Sequence, residues 1–226
     1  MSVIGSNITE IRKELPSTVE LVAVSKFKSP EEIMEAYEAG QRIFGESRPQ
    51  ELLQKAVTMP KDIEWHFIGH LQTNKIKMTV PYCKLIHSVD SARLLMEIEK
   101  FCARTGHDTQ VLLEFHIASE ESKQGFSREE AMSMLRDIDA AGGLQHVRIR
   151  GVMGMASLTD DESLIRSEFA ELMSCYEEIK AAGFHFLDSF DIRSFGMTHD
   201  YAIAVESGSN MVRIGTKIFG PRGIRL

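Results

Sequence analysis

Cysteine is scarce. The chain of 226 residues has three, Cys83, Cys102 and Cys175, far apart in sequence. No CxxC or CxxxC pair occurs, which excludes a zinc ribbon and a thioredoxin-like redox motif. An odd, sparse count suits a reducing compartment, where such thiols pack as small apolar groups. Proline numbers 6, and no Pro/Gly/Ser-rich linker, low-complexity tract or short-period repeat divides the chain. Long apolar runs are missing too, so no transmembrane helix and no membrane partner are expected. The opening segment MSVIGSNITEIRKEL has neither a long apolar core nor a small-residue cleavage site, which argues against a secretory leader. The expected location is the cytoplasm. Positive charge is in deficit, with 26 Lys+Arg against 33 Asp+Glu and a net charge of −7. Nucleic-acid affinity rests on phosphate neutralisation, so no nucleic-acid partner is expected.

Several catalytic signatures are absent as well. HExxH, two-metal carboxylate clusters, the P-loop, the G-x-S-x-G elbow and the kinase set do not occur. Among the eight histidines, His66 and His70 are four apart. They fall on a strand and its exit, so they do not converge, and no metal is expected.

What is present is an ordinary globular composition, 43% hydrophobic and 26% charged. Such a chain buries a substantial core. Its length fits one or two domains, or one α/β barrel. Short apolar, often β-branched runs alternate with longer amphipathic stretches. Strands are predicted at residues 20–25, 43–44, 65–68, 85–88, 109–115, 147–153, 192–195 and 211–214. Helices are predicted at 7–14, 30–39, 49–57, 73–78, 92–104, 128–140, 163–182 and 200–206. Pro30 suits a first helical turn, Gly40 a helix end and Ser91 an N-cap.

Alternating β and α units imply parallel strands joined by right-handed crossovers. Eight strands, with no helix predicted after the last, fit a (β/α)8 TIM barrel. A doubly wound open sheet is the alternative, but it usually carries a glycine-rich turn after its first strand. Here Ser25-Lys26-Phe27-Lys28 follows that strand, and the next glycine is Gly40. A single barrel domain over residues 1–226 is therefore expected.

Functional residues of such barrels gather at the C-terminal ends of the strands. Those ends carry Ser25-Lys26, Gly45-Glu46-Ser47-Arg48, Gly69-His70-Leu71-Gln72, His87-Ser88-Val89-Asp90, Glu114-Phe115-His116, Met153-Gly154-Met155-Ala156, Phe195-Gly196-Met197-Thr198 and Arg213-Ile214-Gly215-Thr216. Lys26 follows a wholly apolar strand. Desolvation there lowers a lysine pKa and makes it a better imine-forming nucleophile, and Lys28 adds like-charge repulsion if its head group is near. The seventh and eighth ends pair glycines with hydroxyls, as phosphate-binding loops of barrels do; two plain tight turns would have the same spacing. Asp200 is expected in the first turn of the following helix, where a carboxylate favours the helix dipole.

The segments LVAVSK (21–26), FGESRPQE (44–51), WHFIGHLQTNK (65–75), IHSVDS (86–91), SKQGF (122–126), RGVMGM (150–155), SFGMTHD (194–200) and VRIGTKIFG (212–220) occur in order. Together they resemble the pyridoxal phosphate homeostasis protein family, the YggS/PROSC-like proteins. The resemblance implies a fold type III barrel like the N-terminal domain of alanine racemase, with pyridoxal 5′-phosphate (PLP) as cofactor. It implies an internal aldimine on Lys26 and phosphate contacts near Ser194, Gly196, Thr198, Gly215 and Thr216. Arg213 is implied against the pyridine nitrogen, where a guanidinium cannot accept a proton and so disfavours a pyridinium. Ser47, His70, Ser88, Met153 and Met197 complete the implied cofactor-binding set. Ser47 and His116 stand where the family usually has Asn, and Thr198 stands where it usually has Ser.

The function implied is a PLP carrier or regulator that keeps the free, reactive aldehyde low, with PLP-dependent apoenzymes as recipients and no catalytic residues. The alternative is a PLP-dependent racemase or decarboxylase. A fold type III enzyme normally adds a β-domain, and only 12 residues follow Ile214. A racemase also needs an acid/base on each face of the α-carbon, and the sequence nominates Lys26 alone. A monomer is expected.

Overall fold

The computed structural model describes residues 2–118 and 124–221. Ser122 and Lys123 of the SKQGF segment lie outside the described residues. The strands are β1 (Glu20–Val24), β2 (Ile43–Glu46), β3 (Glu64–Phe67), β4 (Leu85–Val89), β5 (Thr109–Glu114), β6 (Val147–Met153), β7 (Ile192–Ser194) and β8 (Met211–Ile214). The helices are α1 (Val3–Glu14), α2 (Pro30–Glu38), α3 (Pro49–Thr58), α4 (Ile76–Thr79), α5 (Ala92–Thr105), α6 (Arg128–Ala140), α7 (Glu162–Ala182), α8 (Tyr201–Glu206) and α9 (Thr216–Phe219). Every neighbouring strand pair is parallel, and β8 returns to β1 with Glu20 opposite Met211 and Ala23 opposite Ile214. The sheet is a closed barrel, which removes the open-sheet alternative.

Local chemistry sets the helix ends. Ser29 and Ser127 form capping boxes with Glu32 and Glu130, satisfying two otherwise orphaned N–H groups each. Ser91 accepts the Leu94 N–H and starts α5, and Gly106 closes it in the left-handed conformation.

Two differences from the sequence reading stand out. The barrel does end in a helix, the single turn α9, because Ile218 and Phe219 bury their side chains against the body. Asp200 precedes α8 at its N-cap position instead of lying in its first turn, and its Oδ1 accepts the Met197 N–H.

Strand side chains alternate between two environments. Residues such as Ala23, Phe44, Phe67, Ile86 and Leu113 face the helices in the main core. Val22, Leu85, Leu112, Met153 and Met211 form a separate cluster inside the barrel. Period-two alternation from that layer puts Val24, His87, Glu114 and Arg213 one level higher in the lumen, and Lys26 at its mouth. The seam between β7 and β8 is the thinnest, with Ser194 opposite Met211, whereas β5 and β6 run together from Thr109 to Glu114. Side chains bind that seam. Asn210 Oδ1 accepts Arg193 N at 2.7 Å, Arg193 Nε donates to Gly208 O at 2.7 Å, and Ser209 Oγ lies 2.7 Å from Phe195 O.

Candidate functional site

Lys26 sits two residues past the end of β1, half-buried, in a turn closed by the Lys28 N–H donating to Ser25 O at 3.0 Å. Phe27 takes φ +65°, a conformation that favours glycine and costs a bulky residue about 1–3 kcal/mol. The Lys28 head group points away to Glu32 Oε1 at 3.1 Å and Phe219 O at 3.0 Å, so its charge is met on the helix side.

Beneath the mouth, β8 and β7 carry a polar string. Arg213 is buried, and burial lowers its guanidinium to about 10, still protonated at neutral pH. Its Nη1 donates to Ser194 O and Oγ at 2.7 Å each, and its Nη2 to Gly154 O at 3.0 Å. Ser194 Oγ lies 3.0 Å from His87 Nδ1, and His87 Nε2 lies 2.9 Å from His66 Nδ1. A neutral His87 and a neutral His66 satisfy these contacts, with the direction of the string set by the His87 tautomer. Ser194 Oγ and His87 Nδ1 share one proton, and His87 Nε2 and His66 Nδ1 share another. Burial, then the charge of Lys84, drives His66 down to about 3. Burial, the neighbouring His66 and the Arg213 charge drive His87 well below the usual imidazole range. Glu114, at the end of β5, is pushed up to about 7 by burial and by Asp90, against the pull of Arg213. It lines a cavity of about 200 Å³ together with His116, Met155 and Met197.

The loops after β7 and β8 are tied where the Gly215 N–H donates to Thr198 Oγ1 at 3.3 Å. Gly196 has φ +98°, and an added Cβ would lie 2.5 Å from Ala204 Cβ. Only glycine lets that loop pass so close to α8. Thr198 and Thr216 thus face one rim, with Thr216 exposed.

The family model for the N-terminal domain of alanine racemase matches residues 1–223. A pyridoxal phosphate homeostasis protein of Helicobacter pylori is 37% identical over 203 residues, covering 89% of this chain and 87% of its own. The chain belongs to the pyridoxal phosphate homeostasis protein family. PipY of Synechococcus elongatus PCC7942, solved with PLP bound, is similar in structure. It has a TM-score of 0.87 and 32% identity, covering 96% of this chain and all of that one. Alanine racemase from E. faecalis superposes with a TM-score of 0.75 at 15% identity, over 97% of this chain and 58% of that one, a likeness of fold.

As a member of this homeostasis family the chain brings together Lys26, Arg213, Gly196, Met197, Thr198, Gly215 and Thr216 around one side of the mouth, on β1, β7 and β8. Other residues named from the sequence are already engaged. The Ser194 hydroxyl belongs to the interior string. Ser88 Oγ donates to Gly69 O, and Met153 packs in the lumen cluster. His70 is about half exposed, with Nδ1 3.1 Å from Asp90 Oδ2. Ser47 packs its backbone where a Cβ on Gly69 would lie 2.3 Å from Ser47 O. As the spacing implied, His66 and His70 do not converge.

Sequence reasoning placed Glu114, His87, Ser25 and Glu46 at strand ends without giving them a role, and it missed the His66–His87 contact and a buried cluster behind Lys26. In that cluster Lys55 Nζ donates to Glu46 Oε1 at 2.8 Å, and Ser25 Oγ donates to the same oxygen at 2.6 Å. The alternation signal was present for the lumen residues, since 66, 87 and 114 share parity with the inward side of their strands.

Proposed function

We propose that this protein binds PLP in the barrel mouth and holds it covalently on Lys26, limiting the free aldehyde and delivering it to PLP-dependent apoenzymes without turnover of its own. When bound, the cofactor supplies an aldehyde carbon with which a neutral amine condenses, forming a carbon–nitrogen bond and releasing one water. Lys26 supplies that amine. The observation that carries the reading is the pairing of β1 with β8, Val22 opposite Arg213, which sets the lysine beside the glycine–threonine loops. Two oxygen donors, Thr198 and Thr216, suit a phosphate at that rim.

The donor set of Arg213 also fits. Its Nη1 and Nη2 are engaged by Ser194 and Gly154, and none of its described hydrogen bonds uses Nε. An Nε–H aimed at a pyridine nitrogen leaves that nitrogen unprotonated, because a guanidinium has no proton acceptor. An unprotonated ring is a weaker electron sink, which suits carriage or restrained chemistry. The three cysteines are unpaired thiols, which supports a reducing, intracellular compartment. Among the described residues no helix is long and apolar enough to cross a membrane.

The test is the visible spectrum with PLP, followed by borohydride reduction and peptide mapping. The wild-type chain should gain visible absorbance and carry the reduced adduct on Lys26. Lys26→Ala should stay folded and carry none, since truncation at the mouth removes little packing. An adduct of equal yield on Lys26→Ala would sink the assignment.

A further inference from the structure

The turn that carries Lys26 is held by one face of α3. Phe27 occupies its third position at φ +65°, where a glycine would be expected. Three side chains spaced along α3 and its N-cap grip the residues on either side of Lys26. Lys55 Nζ donates to Ser25 O at 2.9 Å, on the near side of the lysine. Glu51 Oε2 accepts the Phe27 N–H at 2.9 Å, on the far side. The Arg48 guanidinium lies over the Phe27 ring, 4.3 Å from its centroid. The grip is braced from within, because Lys55 also donates to Glu46 Oε1 at 2.8 Å and reaches Glu51 Oε2 at 3.4 Å. Lys55 and Glu46 are both buried, so this brace is little screened by solvent.

A left-handed phenylalanine persists only where its surroundings over-determine it. Here the surroundings are on α3, outside the barrel, while the residue they frame follows β1 at the mouth. We propose that Glu51 and Lys55 are positioning residues that aim Lys26, by fixing the carbonyl before it and the amide after it. The inference rests on the proposed role of Lys26 and adds the device that sets its direction. Held in one orientation, the amine meets an aldehyde at a fixed place, which is the advantage of preorganisation.

The experiment uses the full chain and two ligands. PLP reports both phosphate binding and covalent capture. Pyridoxine 5′-phosphate has the same phosphate and an alcohol in place of the aldehyde, so it reports binding alone. Glu51→Ala should slow covalent capture of PLP about tenfold or more, while its pyridoxine 5′-phosphate affinity stays within about twofold of the parent, on the ground that misorientation of a reacting group acts on rate. Glu51→Gln keeps an acceptor and should capture at a near-parental rate. Phe27→Gly added to Glu51→Ala should restore capture, because glycine takes the left-handed backbone unaided. Lys55→Met leaves Glu46 buried without its partner and is a test of folding more than of aim, so Glu51 is the deciding position.

Amide exchange at Phe27, followed without any ligand, should quicken in Glu51→Ala. Faster exchange with unchanged capture overturns the inference and leaves the PLP reading standing. Equal losses for both ligands also overturn it, since they describe general damage to the barrel. A wild-type chain that binds both ligands yet never captures PLP on Lys26 overturns the proposed function, and the aiming role with it.

Discussion

At the scale of single residues, the lumen holds two kinds of buried titratable group with opposite demands. Glu114 is kept protonated by its surroundings up to about pH 7. In the unfolded chain it ionises near 4.5, so between those values the folded state holds the proton and the unfolded state has released it. Stability from this group is therefore lost as pH rises through that window. The span bounds the effect at about 3 kcal/mol. Glu114→Gln should lose less stability than the parent between pH 5 and pH 8, measured by urea unfolding at both values. Parallel losses in the two proteins would mean that Glu114 is ordinary in the fold. Residue chemistry at this position was not legible beforehand. A glutamate closing an apolar strand reads as a strand end reaching water, and its burial depends on what the other strands place around it.

At the scale of elements, the prediction concerns the junction of β8 and α9. Thr216 is exposed and stands at the rim beside the Thr198–Gly215 tie. Removing its hydroxyl takes away one donor to a charged acceptor, a bond worth ~1.5–3 kcal/mol. At ~1.4 kcal/mol per decade, Thr216→Ala should bind PLP roughly 10- to 150-fold more weakly. Pyridoxal, which lacks the phosphate, should lose far less, and titration of both ligands checks it. Equal losses would make Thr216 a support of the barrel only.

The elements themselves were largely legible. The strand at Val147–Met153 and the helix at Arg128–Ala140 fall where apolar periodicity put them. The helix α9 escaped because one turn is shorter than any periodic signal. The grip of α3 on the Lys26 turn escaped because Glu51 and Lys55 look like an ordinary solvated helix face. Only the packing of α3 against β2 and β3 turns that face inward.

At the scale of the whole molecule, the closed barrel makes its interior one electrostatic unit. The strand–helix alternation names the end of the barrel on which the candidate site residues lie, and its fold class followed from the same alternation. The polar string through Arg213, Ser194, His87 and His66 did not, because it joins β8, β7, β4 and β3 across the lumen. Both imidazoles stay neutral in that string. Unfolding lets them take up protons below about pH 6.5, so stability is lost as pH falls from there towards the value of about 3 at which folded His66 titrates. His66→Gln should therefore unfold less steeply between pH 6.5 and pH 4 than the parent, followed by thermal melts across that range. An unchanged acid limb would show that other groups govern acid unfolding.

The thin seam between β7 and β8 has a consequence for what the ligand is to this protein. On the proposed reading, the loops leaving those two strands are the ones that would grasp a phosphate, so a bound phosphate would lie astride the seam and join its two banks. A ligand in that position becomes a structural member of the wall. At a free concentration 100 times its Kd it would add about 2.7 kcal/mol to the folded state. The melting temperature of the barrel would then act as a gauge of how much free ligand surrounds it.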